Sequence, residues 1–324
     1  MKQTVDIKQT VDIKQTADIK QTADIKQLLP MAAVLTAVFL WGSSFSAMRI
    51  VLNDLTPMAA IFLRLFIASL CIIPFAGKLI LPILQKNETK KIREKGDWKL
   101  LGGMVLFQPC LYFAFESRAL IYTTSSQAAI ISACLPLMAG VAAWIFLSEA
   151  INTKVIIGLV LSITGVILLT LFQNQSVTAP NPVLGNLLEL MAMVAACGYM
   201  ILVKQLSSRY NTWTLTALQV MGGTLFFLPG VFPLLSADPA IWTPKLILLL
   251  LFLGPCVSLG AFGLYNYGIQ TIAVSRASIC INLIPVIAML LGWLVLGETL
   301  NLKQGIAVGI VILGVVISNH KSRH

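Results

Sequence analysis

Beginning at Leu28, long apolar runs follow one another to Asn319 with only short polar breaks between them, and this succession constrains the fold more than any motif does. A helix of about 20 residues rises about 30 Å, the thickness of the hydrocarbon layer of a bilayer. Ten runs reach that length: 31–52, 57–76, 98–119, 123–147, 152–172, 182–204, 211–234, 244–268, 272–296 and 301–319. Several open on a helix-entry signal: Thr56-Pro57, Asn181-Pro182, Thr243-Pro244, and Asn152 and Asn301 as candidate caps. The expected class is an all-α integral membrane protein with ten transmembrane helices. Composition agrees, since 57% of residues are hydrophobic and 11% charged, against roughly one-quarter charged in a soluble domain. A soluble globule is excluded.

Ten is even, so both termini are expected on one side, and the basic residues say which. With the N-terminal tail placed in the cytoplasm, that face collects 18 Lys and Arg, seven of them in the 77–99 loop, and the other face collects four. The expected arrangement is a multi-pass protein of the inner, cytoplasmic membrane, N-in and C-in. The net charge of +10 then belongs to topology and not to nucleic acid. Residues 1–27 repeat KQTVDI twice and KQTADI twice, a low-complexity stretch expected to be a disordered cytoplasmic tail. Lys and Asp four positions apart leave a partner-binding or membrane-surface role open for it. It has no signal-peptide core and is expected to be retained. The six cysteines stand singly within apolar runs, and the two histidines, His320 and His324, fall in the terminal segment 320–324. No metal site, cofactor site or histidine-based catalysis is expected.

The chain contains a duplication. Pro136 and Pro285, Glu149 and Glu298, and Gly165 and Gly314 are each 149 residues apart, and LPLMAGVAAWIFLSEAIN is echoed by IPVIAMLLGWLVLGETLN. The expected units are residues 28–175 and 176–319, each with five helices. An odd number per unit makes the two insert in opposite orientation, the inverted-repeat plan of secondary transporters. Pro136 and Pro285 fall at the middle of their spans, where each removes a helix hydrogen bond, and both are expected as hinges or site-lining breaks.

Trp41-Gly42-Ser43-Ser44-Phe45, Arg64, Ala119 to Ser125, and the paired Leu-Ser-Glu149 and Leu-Gly-Glu298 turns together resemble the EamA family of the drug/metabolite transporter superfamily. The resemblance covers about residues 30–319. It implies ten helices in two inverted five-helix repeats around a central cavity, and export of amino acids or other small metabolites. Glu116 departs from the family pattern, in which an aromatic or small apolar residue is more usual.

Ionisable groups inside spans cost about 2.5–3.5 kcal/mol on insertion scales, so they face a cavity or a partner. Arg64, Glu116 and Glu189 lie in the external half, and an ion pair from Arg64 to Glu189 or Glu116 is expected as a gate. Gln108, Tyr112 and Glu116 recur at helical spacing, and Ser258, Phe262, Tyr265 and Asn266 form a matching stripe. The expected substrate-binding set is Trp41, Gln108, Tyr112, Glu116, Tyr199, Phe262, Tyr265, Asn266 and Asn282. Plain helix packing is the competing reading of the aromatics. Glu149 and Glu298 are expected to be structural acids near helix starts.

No ATP-binding motif is present, so transport is expected to run on a gradient, with a proton on Glu116 or Glu189 as one option and facilitated exchange as the other. The expected function is a secondary active or facilitative transporter that exports small amphipathic metabolites such as amino acids, by alternating access through a central cavity between the repeats. The alternatives are an uptake or exchange permease for a nucleoside or adenosyl compound, a membrane receptor or scaffold, and an intramembrane enzyme, which lacks a catalytic cluster. The expected partners are a small-molecule substrate and the lipid bilayer, with a homodimer left open.

Overall fold

A computed structural model describes residues 29–79, 97–147, 153–206, 209–271 and 280–319. The expectations placed on the tail 1–27, most of the 77–99 loop, Glu149, Asn152 and residues 320–324 lie outside the described residues. Within them the regular elements are helices, with one isolated bridge between Ser176 and Ala179.

Among the described residues seven helices are long and apolar enough to cross a membrane: α1 (Leu29–Asp54), α2 (Pro57–Lys78), α3 (Asp97–Tyr122), α4 (Ser125–Phe146), α5 (Thr153–Leu171), α6 (Pro182–Leu206) and α8 (Pro244–Tyr265). Between the last two lies α7, a pair bent by 53° (Trp213–Phe226 and Leu228–Leu235). Two shorter apolar helices follow, α9 (Ile284–Leu296) and α10 (Leu302–Ser318). Against the expected ten membrane-length spans, the described residues hold seven such helices, or eight with the bent pair. The ninth expected span, 272–296, begins in residues outside the described set.

The entry signals work through their side chains. Thr56 Oγ1 accepts from the Ala59 amide, Thr243 Oγ1 from Leu246 and Asn181 Oδ1 from Leu184. Asn301 Oδ1 accepts from the Gln304 amide while Gln304 Oε1 accepts from the Asn301 amide, a reciprocal capping box. Each cap satisfies an amide that the first helical turn leaves orphaned, a need that hydrocarbon cannot meet.

Large apolar side chains point out of the bundle, Phe146, Leu225 and Leu302 among them, each at least 70% exposed. In water such a surface would aggregate, whereas in lipid it is the solvated face. The inner faces pack through small residues. Where α5 crosses α10, a Cβ on Gly158 would lie 2.4 Å from the Gly314 carbonyl oxygen, and one on Gly165 would lie 2.8 Å from that of Ala307. Ser162 Oγ donates to the Val311 carbonyl in the same crossing. Residues 158 and 165 thus meet 314 and 307, each set 149 positions from the other, and the two helices run antiparallel. Close backbone approach of this kind is how helices associate without a hydrophobic drive between them.

The repeat also appears as matched breaks. The helical hydrogen-bond ladder is interrupted by a turn at Ala133-Cys134 and again at Asn282-Leu283, 149 residues apart, while Ala133 and Leu283 keep helical torsions, and Pro136 and Pro285 each sit in the first turn after the interruption. A proline is tolerated there because it has no amide to orphan. Each proline thus follows a local interruption of the ladder and removes no further hydrogen bond from the turn it opens.

A central cavity and the seal at its distal end

One end of the bundle is closed by a polar network, and contacts define it. There the starts of α2, α4, α6, α8 and α10 meet the ends of the helices before them; it is called the distal end below, opposite the N-terminus of α1. Gly297, at φ +65°, ends α9 in the left-handed conformation that glycine tolerates, and amides of Gly297 and Glu298 bond back to Trp293 and Gly292. This turn aims the Glu298 carboxylate at the first turn of α4. It accepts from the amides of Ser125 and Ser126, each at 2.9 Å, and from their hydroxyls at 3.0 and 2.5 Å. Glu298 does serve a helix start, but that of α4 and not of α10, whose start is capped by Asn301. An acid suits that position because the orphan amides and the helix dipole both present positive potential.

Beside this latch, Asn186 of α6 donates to Gln127 Oε1 at 2.9 Å and Thr170 Oγ1 at 2.8 Å, and accepts from Thr123 Oγ1 at 2.7 Å. Gln127 Nε2 donates to Gln173 Oε1, which also accepts from Gln304 Nε2. Thr123, Gln127, Asn186 and Gln304 are all buried. Arg49 donates to the carbonyls of Leu120 and Thr178. The network joins α1, α3, α4, α5, α6 and α10, so parting the two halves at this end requires exchanging many buried hydrogen bonds for water.

Below the seal lies a cavity of about 390 Å³, within the range of small-molecule sites. Trp41, Gln108, Tyr112, Glu116, Tyr199, Phe262, Tyr265 and Asn282 of the expected binding set all line it, as do Arg64, Pro136 and Pro285. Asn266 lies on the same helix as Phe262, and its side chain is outside the described set. Glu189 does not line the cavity. Both helix breaks reach the wall through Ser132, Ala133, Ile281 and Asn282. There the backbone is irregular only where it faces a cavity, as lipid requires.

One wall is aromatic. The Trp41 ring lies 5.3 Å from both Phe262 and Tyr265, the centroid separation of favourable aromatic pairs. Another part of the lining is polar. Tyr112 donates to Glu116 Oε1 at 2.7 Å, and Arg64 Nε donates to Ser258 Oγ at 2.9 Å. The Arg64 guanidinium also lies over the Phe113 ring, 4.5 Å from its centroid.

The expected ion pair is not formed: neither Glu116 nor Glu189 comes within 4.0 Å of Arg64 among the described residues, where the ion pair resolved is Arg209 with Asp97 at 2.6 Å. A ring face and a hydroxyl compensate the buried cation instead. Gln108 departs from the expected helical stripe as well. Its backbone is extended (φ −143°, ψ 119°), and Gln219 Nε2 donates to its freed carbonyl at 3.1 Å. Gln219, which also accepts from the Tyr199 hydroxyl, is a site residue that charge counting misses; an amide inside an apolar run was its only signal. Gln127, Asn186 and Gln304 were missed for the same reason. Among the described residues no group of three His, Cys, Asp or Glu is placed to hold a metal.

Comparison with known proteins places this architecture. The model of the EamA-like transporter family matches twice, at residues 28–171 and 183–320. An uncharacterized transporter of Archaeoglobus fulgidus is 29% identical over 286 residues, covering 87% of this chain and 95% of its own. The uncharacterized transporter YetK of Bacillus subtilis is 25% identical over 291 residues, covering 89% and 86%. A solved crystal structure superposes with a TM-score of 0.56 at 16% identity, over 91% of this chain and 96% of that one, which is a likeness of fold.

Proposed function

Since the chain belongs to the EamA-like transporter family, and so is a multi-pass membrane transporter and not an enzyme, we propose that it carries a small amphipathic metabolite through the central cavity by alternating access. The observation that carries this reading is a cavity closed at one end by a hydrogen-bonded seal and lined on both sides by the repeat-related breaks. The antiparallel register of α5 and α10, with 158 and 165 meeting 314 and 307, supports ten spans in two inverted repeats. The family match, falling once in each half, supports the same division. Exchange of shape between such halves moves the opening from one side to the other while the site stays at the middle.

The wall chemistry supports one substrate class. Trp41, Phe262 and Tyr265 offer an apolar surface to a side chain or ring, Glu116 and Tyr112 receive an ammonium or hydroxyl, and Arg64 receives a carboxylate. An amino acid with an apolar side chain meets all three demands. The bias of basic residues supports an N-terminus on the cytoplasmic side of the cell membrane, with the sealed distal end facing outward, and export is the direction we propose. The test is counterflow in proteoliposomes of the full chain against a panel of radiolabelled amino acids and nucleosides. Saturable uptake of an amino acid, absent from protein-free vesicles, is expected; uptake restricted to nucleosides refutes the substrate class, and uptake of neither refutes the reading.

A further inference from the structure

Glu189 is a buried acid that the transport pathway described so far does not use. Its side chain is 0% exposed, and neither carboxylate oxygen has a hydrogen-bond partner. On α6 it follows Asn186 of the seal by three residues and precedes Met193 of the cavity wall by four, so the three share one helix face. Glu189 therefore stands at the junction of the two. The titratable groups within electrostatic reach are Glu116 and Tyr112 of α3, with Arg64 of α2 acting on that pair. Residues 125–132 and 135–147 of α4, which pack on α6, contain no ionisable side chain, and α5 carries only Lys154, at the opposite end.

An ionised carboxylate here is a bare charge in a dry site whose nearest charged neighbour is another carboxylate. Such a charge costs several kcal/mol, far more than a neutral acid short of one hydrogen bond. The cost falls on the closed form alone, because parting the Asn186 network one turn away admits water. We propose that Glu189 is a proton-binding site that couples the distal seal to pH, the seal closing over the protonated acid and opening as the acid ionises. On opening, the Glu189 O–H bond breaks, its electron pair stays on the carboxylate and the proton leaves on a water molecule. Closure reverses the step, so each closing of the distal end takes up one proton from distal water, and the pH on that side sets how readily the seal closes. The inference rests on the alternating-access reading.

No substrate is needed for the test. Spin labels at Arg118→Cys and Leu302→Cys, both exposed at the distal end on different halves of the chain, are placed in the full chain with its native cysteines replaced by serine. Pulsed electron resonance then reports their separation in liposomes from mildly acid to alkaline pH. The long, open component is expected to grow at least tenfold with rising pH, to vanish in Glu189→Gln, and to persist with its pH dependence in Glu116→Gln. Glu189→Asp is expected to restore the pH response, which a packing role would not. A response that survives Glu189→Gln, or that is lost only in Glu116→Gln, overturns the proposal. An open component that appears at all pH values equally overturns it too, while leaving alternating access standing. A seal that opens under no condition, including loss of Glu298, overturns both.

Discussion

Replacing Glu298 by alanine is expected to loosen the distal end by an amount that the latch geometry sets. The carboxylate accepts four hydrogen bonds from Ser125 and Ser126, two from backbone amides and two from hydroxyls, and Gly297 holds it in place. A hydrogen bond to a charged group contributes about 1.5–3 kcal/mol net, and loss of an N-cap costs about 0.5–2 kcal/mol. The bonds share one carboxylate, and Glu298 is only half-buried, so they do not add in full. In the open form the same groups are hydrated, and the difference between forms is about 2–3 kcal/mol, which shifts the closed-to-open ratio about 30- to 150-fold. Glu298→Gln keeps one acceptor oxygen and is expected to shift it by about half that free energy. The Arg118 and Leu302 label pair measures the ratio directly. Distance distributions of the Ala variant indistinguishable from those of the unmodified chain would refute the latch.

Other consequences follow from particular contacts. Gly158→Val forces a side chain onto the Gly314 carbonyl and is expected to destabilise the α5–α10 crossing by about 1–3 kcal/mol, read as earlier thermal unfolding in detergent. Gly102→Ala, with nothing within 4 Å of the added Cβ, is the matched control and is expected to be neutral or slightly stabilising. Gln219→Leu leaves the Gln108 carbonyl without its donor and is expected to cost about 1–3 kcal/mol in the same assay. Arg64→Lys removes the planar group that lies over Phe113 while bonding Ser258; counterflow is expected to fall at least about tenfold despite the retained charge. Equal transport by Arg64→Lys would show that charge alone suffices there.

The frame of this fold was legible because membrane helices have a length, and their starts need caps. Thr56, Asn181, Thr243 and Asn301 were readable as caps since each precedes an apolar run, and all four accept from an amide within the first turn. The offset of 149 between Pro136 and Pro285 marked matched positions, and a turn interrupts the helical ladder just before each. Partners were less legible. Opposite charges in one half of the membrane suggested that Arg64 would pair with an acid, but depth along a span says nothing of rotation around it. Arg64 turns to Ser258 and Phe113. Glu298 precedes one helix in sequence and caps another in space, a relation that only the Gly297 turn creates. The seal amides Gln127, Asn186 and Gln304 carry no charge, so a search for costly intramembrane ions passes over them. Yet three of them buried in one place mark where the halves meet.

The central claim is that substrate passes through this cavity, and a plug tests it most directly. Ala196 is buried and lines the cavity, whereas Ile157 lies on the lipid face of α5, 47% exposed. Counterflow is to be measured for Ala196→Trp and Ile157→Trp, both first shown to remain monodisperse in detergent. Transport abolished by the indole at 196 and retained with the one at 157 is the expected result; equal transport by both would contradict a path through the cavity.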